Sequence, residues 1–205
     1  TPLCYQYSGK FDGVEINPTN LIVNQLKTSL EADESMRCSC EILETSIQGV
    51  DKFHSNLGEN CKGPKFLIHL GVSSLATCFN LEHFAYNNLH FRVPDEQGNQ
   101  PENTCIEGDV ELDGSIQTAL DLDDMKSNLE CVTEDGCSDV CISSDPGRFL
   151  CNYVYYQSLC RCRLDSASTA RSTALFVHVP PTEVVPLEKQ IDFVRRIIAY
   201  LKALP

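Results

Sequence analysis

Three side chains in this 205-residue chain have the types that acyl transfer through sulfur requires: the Cys151 thiol, the His178 imidazole and the Glu82 carboxylate. Cys151 lies in SSDPGRFLCNYVYYQSLCRC, Ser143 to Cys162, where the turn residues Asp145, Pro146 and Gly147 follow the short apolar run Val140 to Ile142. Leu150, Tyr153, Val154 and Leu159 then recur at helical spacing. The segment therefore reads as strand, tight turn, helix, with Cys151 in the first helical turn. Unpaired backbone N–H groups and the positive end of the helix dipole stabilise an anion there, so a thiol is expected to ionise more easily than usual. A cysteine at a helix start is also an ordinary packing residue, and this pattern alone fits both readings.

A partner downstream favours chemistry. Thr173 to Pro181, TALFVHVPP, is an apolar strand that His178 interrupts just before two prolines stop it. The carboxyl end of a strand is where open α/β folds place their reactive groups, although a satisfied core histidine would look the same. Glu82 sits in FNLEHF, an acid between large apolar residues, with a solvated strand face as the plain alternative. Taken together the three supply a nucleophile, a base and a carboxylate to orient the imidazole.

The elements that must position these residues alternate along the chain. A short strand is predicted over Leu3 to Tyr7, with Gly9 and Gly13 bracketing a loop. A first helix starts at Asn17 as cap and Pro18 as first helical residue, with Leu21, Ile22, Leu26 and Leu30 on one stripe. The polar stretch Glu31 to Ser39 ends it, and Glu41 to Val50 is apolar but of ambiguous type. Phe66 to Val72, FLIHLGV, reads as a fully buried strand, and Val72 to Ala76 as a loop of small residues. Phe79 to Phe84 is a further strand, Asp95 to Thr104 a surface loop, and Leu120 to Cys131 an acidic helix. After the Cys151 helix and the His178 strand, Leu187, Ile191, Val194, Ile198 and Leu201 mark a last helix from about Pro186 to Ala203. Strands and helices alternating with long crossovers imply an α/β fold with a mostly parallel sheet covered on both faces. The length suits a single domain over residues 1–205.

Composition narrows the function. A formal charge of -13 and a pI near 4.7 argue against nucleic acid and against an anionic membrane surface, both of which need clustered Lys and Arg. No apolar run approaches the length of a membrane span, and the N-terminus lacks a signal-peptide pattern. The chain begins at Thr1 rather than Met, which reads as clipped or incomplete and leaves a removed leader open. Twelve cysteines could indicate a secreted disulfide framework and an interaction protein, but the long apolar elements favour reduced thiols and a cytoplasmic location. The close pairs Cys38/Cys40, Cys137/Cys141 and Cys160/Cys162 lack the paired C-x-x-C spacing of zinc ribbons.

Longer motifs carry a resemblance. SSDPGRFLCNYVYY, ALFVHVPP and HLGVSSLATCFNLE are similar to the nucleophile, histidine and glutamate segments of the pyroglutamyl peptidase type I (pyrrolidone-carboxylate peptidase) family, in the same chain order Glu, Cys, His. INPTN at Ile16 to Asn20 and RVPD at Arg92 to Asp95 resemble two further signatures, so the likeness covers most of Ile16 to Pro181. The resemblance implies a three-layer α/β/α sandwich and a cysteine peptidase that removes an N-terminal pyroglutamyl residue from peptides, without metal or cofactor. It implies Cys151 as nucleophile, His178 as general base and then acid, and Glu82 as the residue that orients the ring. The expected partner is a pyroglutamyl peptide, and the enzyme is a monomer or a homo-oligomer.

The resemblance also implies a substrate pocket walled by Phe11, Val72, Val93, Phe149 and Leu150. Val72 stands where bacterial members often have Gln, and V-S-S-L-A-T looks more like the animal enzymes. Arg92 either adds positive charge near the oxyanion or pairs with Asp95. One segment departs from the pattern: where the family has a G-F-x-P-F-G turn, this chain has Tyr7, Ser8, Gly9, Lys10, Phe11 and Asp12, keeping only Phe11. That departure is expected to change the shape of the pocket but not the triad, and it motivates the alternative of a catalytically silent relative that binds capped peptides.

Overall fold

The computed structural model describes residues 2–7, 17–33, 38–57, 66–131, 136, 138–165 and 172–204. Among these described residues eight strands and five helices follow in the order β1 (Pro2–Tyr7), α1 (Pro18–Glu31), β2 (Ser39–Leu43), α2 (Ile47–Asn56), β3 (Phe66–Val72), β4 (Phe79–Glu82), β5 (Phe84–Tyr86), β6 (Ser115–Gln117), α3 (Leu122–Leu129), β7 (Val140–Ser143), α4 (Leu150–Asp165), β8 (Thr173–Val179) and α5 (Leu187–Ala203). Six strands form the central sheet in the order β2-β1-β3-β8-β4-β7, and β5 and β6 pair separately. All neighbours in the central sheet are parallel except β4 and β8, which run antiparallel.

Helices α1, α2 and α3 begin where the sequence supplies a cap. Asn17 accepts from the Thr19 backbone N–H at 3.1 Å with Pro18 next in the chain, Ser46 accepts from Gly49 at 2.9 Å, and Asp121 accepts from Asp124 at 3.0 Å. The ambiguous stretch Glu41 to Val50 resolves into the end of β2 and the start of α2. Phe79 to Phe84 divides at His83 into β4 and the first residue of β5. Pro186 precedes the first turn of α5 as its N-cap, without a side-chain hydrogen bond.

Strand alternation sorts the interior into two layers. Ile68 and Leu70 of β3, Phe79 and Leu81 of β4, and Leu175, Val177 and Val179 of β8 pack with α1, α3 and α5. Leu67, Ala174 and Phe176 point the other way, into a layer with α2, α4 and the β5–β6 pair. Helix α4 buries Leu150, Tyr153, Val154, Tyr155, Tyr156, Leu159 and Cys162 and is the main cover of that second face. By the same period of two, Gly71, Glu82 and His178 belong to the α4 face. Among the described residues no helix is long and apolar enough to cross a membrane.

Candidate active site

The antiparallel pairing of β4 with β8 sets Asn80 opposite His178 and Glu82 opposite Phe176, so Glu82 and His178 are diagonal neighbours on one face. Their side chains meet: His178 Nδ1 lies 2.7 Å from Glu82 Oε1. Glu82 is only 1% exposed, which removes the solvated-face reading of that acid. The backbone carbonyl of Glu82 accepts from the Tyr155 hydroxyl at 2.8 Å, tying β4 to α4, and its Oε2 has no partner among the described residues. With Nδ1 engaged, Nε2 is the ring atom left for a further partner.

Cys151, the second residue of α4, is near enough to the imidazole to raise its pKa. Burial works against a charged imidazole, but the hydrogen bonds to Cys151 and Glu82 and the negative charge of both outweigh it, raising the His178 pKa well above its ordinary value. The Phe176 ring packs 4.7 Å from the imidazole and completes its fixed orientation.

Gly71 explains how sulfur and imidazole come so close to the sheet. It pairs in register with His178, and a Cβ placed on it would lie 2.7 Å from Phe176 Cζ and 3.2 Å from Cys151 Sγ. The glycine inside FLIHLGV is a close-approach residue that the sequence reading treated only as part of a buried strand. Asn152 is a second such residue. Its Oδ1 accepts from Tyr86 N at 2.7 Å, and its Nδ2 donates to the carbonyls of Tyr86 and Asn88 at 2.8 and 3.0 Å, so the residue after Cys151 holds α4 against β5.

The turn before α4 is equally fixed. Gly147 has φ +79°, a left-handed conformation that glycine adopts without strain, and its N–H donates to Asp145 Oδ1 at 3.0 Å. Arg148 lies 3.9 Å over the Tyr86 ring and pairs with Asp113 at 2.9 Å and Asp145 at 2.6 Å. The first helical hydrogen bond runs from Tyr153 N to Phe149 O at 3.1 Å, leaving the N–H groups of the preceding residues outside the helical ladder.

The residues expected to wall the pocket have different placements. Val72 is buried at the end of β3, and Phe149 is half-buried with its ring 4.4 Å from Phe91. Leu150 is fully buried in the α4 layer. Val93 and Arg92 are exposed. The Asp95 carboxylate accepts from the backbone N–H groups of Ile47, Gln97 and Asn99 and from the Asn99 amide, and so organises the loop that follows. Phe11 and the altered segment from Ser8 to Asp12 lie outside the described residues, as does the Tyr7 side chain. No group of three or more His, Cys, Asp and Glu among the described residues could hold a metal ion.

An α/β protein whose sheet and covering helix bring a thiol, an imidazole and a buried carboxylate together has the architecture of a cysteine peptidase. Residues 7–193 match the Pyroglutamyl peptidase family. Pyroglutamyl-peptidase 1 of Rattus norvegicus is 30% identical over 173 residues, covering 84% of this chain and 76% of that protein. The pyrrolidone-carboxylate peptidase of Fusobacterium nucleatum is 25% identical over 178 residues, covering 85% and 77%. The crystal structure of pyrrolidone carboxyl peptidase from Fervidobacterium islandicum superposes with a TM-score of 0.79 at 25% identity, covering 98% of this chain and 97% of that one. The chain belongs to the pyroglutamyl peptidase family of cysteine peptidases.

Proposed function

We propose that this protein hydrolyses the bond after an N-terminal pyroglutamyl residue, with Cys151 as nucleophile, His178 as base and then acid, and Glu82 holding and charging the imidazole. The observation that carries the reading is the 2.7 Å contact between His178 Nδ1 and buried Glu82 Oε1, with the Cys151 sulfur beside Gly71, the register partner of His178. In the first step sulfur attacks the pyroglutamyl carbonyl, and the resulting negative oxygen meets backbone N–H groups at the start of α4. His178 next gives its proton to the departing amine, leaving a thioester on Cys151. Water, deprotonated by His178, then hydrolyses the thioester and frees pyroglutamate.

Specificity fits an apolar slot with backbone hydrogen bonds to the lactam amide, because a blocked N-terminus carries no charge to pair. Val72, Val93 and Phe149 are our candidates for its wall, with Leu150 supporting from behind and Phe11 contributing from the departed turn. Arg92, which is exposed, is our candidate for positive charge on the oxyanion side. We read residues 1–205 as one catalytic domain, supported by a sheet that joins strands from β1 through β8. A cytoplasmic setting suits a nucleophile that must stay reduced.

A pyroglutamyl amide with a fluorescent amine leaving group tests the reading. Release of the fluorophore, with none from the matching glutamyl or glutaminyl amide, is the expected result. Binding of the pyroglutamyl amide without release would favour a silent relative that holds capped peptides.

A further inference from the structure

Two cysteines that the site does not use, Cys78 and Cys141, hold their sulfurs 2.7 Å apart. They come from adjacent strands: β4 and β7 run parallel with Asn80 opposite Cys141, and Cys78 immediately precedes β4. Phe79, Leu81 and Val140 turn into the core, so alternation sends Cys78 and Cys141 together to the opposite face. Strand β7 is the edge of the sheet, Cys141 is exposed and Cys78 is half-buried. A disulfide bond is about 2.0 Å long, so the sulfurs are within an ångström of bonding distance. A pocket of about 930 Å³ adjoins them, lined among others by Cys78, Asp139, Cys141, Lys189 and Arg196, and Glu82, Cys151 and His178 take no part in it.

We propose that Cys78 and Cys141 form a thiol–disulfide exchange site, a dithiol that a low-molecular-weight disulfide converts into a cross-link between β4 and β7. Exposed Cys141, whose sulfur accepts the Cys78 S–H, gives its own proton to solvent and attacks one sulfur of the reagent RS–SR. The reagent's S–S bond breaks, a mixed disulfide forms on Cys141, and RS⁻ leaves and takes up a proton. Burial first, and then the hydrogen bond and charge of Cys141 and the charge of Asp139, push the Cys78 thiol up to about 12. Once Cys141 is in the mixed disulfide, the Cys78 S–H gives its proton to solvent as its sulfur attacks the adjoining Cys141 sulfur. That step forms the Cys78–Cys141 bond and releases the second RSH. Two protein thiols are oxidised and one reagent disulfide is reduced, with both thiol protons carried away on two RSH.

The full chain, incubated with oxidised glutathione, quenched with maleimide under denaturing conditions and digested without reductant, gives the test. Trypsin should release residues 66–92, whose cysteine is Cys78, joined to residues 127–148, which contain Cys131, Cys137 and Cys141. Fragmentation should assign the link to Cys141. The cross-link should form at least about tenfold faster than glutathione adds to Cys160, because Cys141 is exposed whereas burial and Glu107 push the Cys160 thiol up to about 12, and the mixed disulfide on Cys141 is then resolved internally. Cys78→Ser should stop with glutathione on Cys141, and Cys141→Ser should leave Cys78 as a free thiol. On unmutated protein, phenylarsine oxide, which bridges two neighbouring thiols with loss of water, should protect Cys78 and Cys141 together from maleimide. The proposal is overturned if Cys78 stays free in oxidised wild type, if its link maps to Cys131 or Cys137, if the link persists in Cys141→Ser, or if the arsenical protects neither. Every readout is a covalent map and stands apart from hydrolytic activity.

Discussion

The imidazole of His178 is held from two sides, and the side with no solvent is Glu82, whose Oε1 sits 2.7 Å from Nδ1 while the carboxylate as a whole is 1% exposed. A buried carboxylate on Nδ1 selects the tautomer that leaves Nε2 for sulfur, and it stabilises the imidazolium that forms when sulfur gives up its proton.

Replacement of each partner should therefore have graded consequences. His178→Ala should lower kcat by about 10²–10⁴, the usual worth of a general base, and Cys151→Ala should remove turnover. Glu82→Gln keeps an acceptor for Nδ1 but loses the charge and buries an NH₂ where Oε2 has no partner among the described residues. Its loss should be smaller than that of either other change and should fall on kcat rather than KM. Steady-state kinetics on the three variants checks the order; a Glu82→Gln enzyme as active as wild type would remove Glu82 from the mechanism.

The raised pKa of His178 makes a prediction about stability. The imidazole titrates near 6.5 when unfolded and is pushed up to about 10 when folded, where burial is outweighed by Cys151 and Glu82. A raised folded pKa means the native state binds the proton more tightly. Its stabilisation is fully present below about pH 6.5 and is lost as pH rises through about 10. The urea midpoint of wild type should fall across that window, and the slope should flatten in His178→Gln. Parallel pH profiles for the two proteins would contradict the charged pair.

Gly71→Ala should damage the site without touching any reactive group. The added methyl would meet the Phe176 ring at 2.7 Å and Cys151 Sγ at 3.2 Å, so ring or sulfur must move. A displacement of about 1 Å at a reacting atom costs on the order of 10²-fold in rate. Kinetics should show that loss in kcat with the far-UV circular dichroism unchanged; wild-type kcat would mean that the sulfur tolerates the shift.

Much of this arrangement is legible in the residues themselves, and the exceptions have physical causes. Phe66 to Val72 and Thr173 to Val179 appear as strands because unbroken apolar runs of that length suit strands buried on both faces. Helix α1 announces itself through Asn17 and Pro18. The β5–β6 pair does not, since three residues such as Ser115 to Gln117 are too few to show a period. Helix α2 buries only Val50 and Phe53, too sparse a stripe to separate helix from strand. Glu82, Cys151 and His178 stand out as polar or reactive groups in apolar settings. Gly71 and Asn152 do not, because what they do depends on β3, β5 and α4 meeting in space.

Thiol reactivity should single out Cys151 relative to Cys160 of the same helix. Cys160 is pushed up to about 12 by burial and by Glu107, whereas Cys151 has the His178 cation beside it. Limited iodoacetamide near neutral pH, followed by peptide mapping, should label Cys151 ahead of Cys160. The lactam 2-pyrrolidone should slow that labelling, and His178→Ala should erase the preference. Equal rates for Cys151 and Cys160 would remove the activated nucleophile.

The central claim is that the pyroglutamyl group passes through a thioester on Cys151. Acid quenching during turnover of a pyroglutamyl ester or amide, followed by intact-mass and peptide measurement, reads that intermediate directly. The account predicts one pyroglutamyl adduct, on the peptide carrying Cys151, that hydroxylamine releases and that Cys151→Ala never forms. Turnover that continues in Cys151→Ala, or an adduct that maps to another residue, would contradict it.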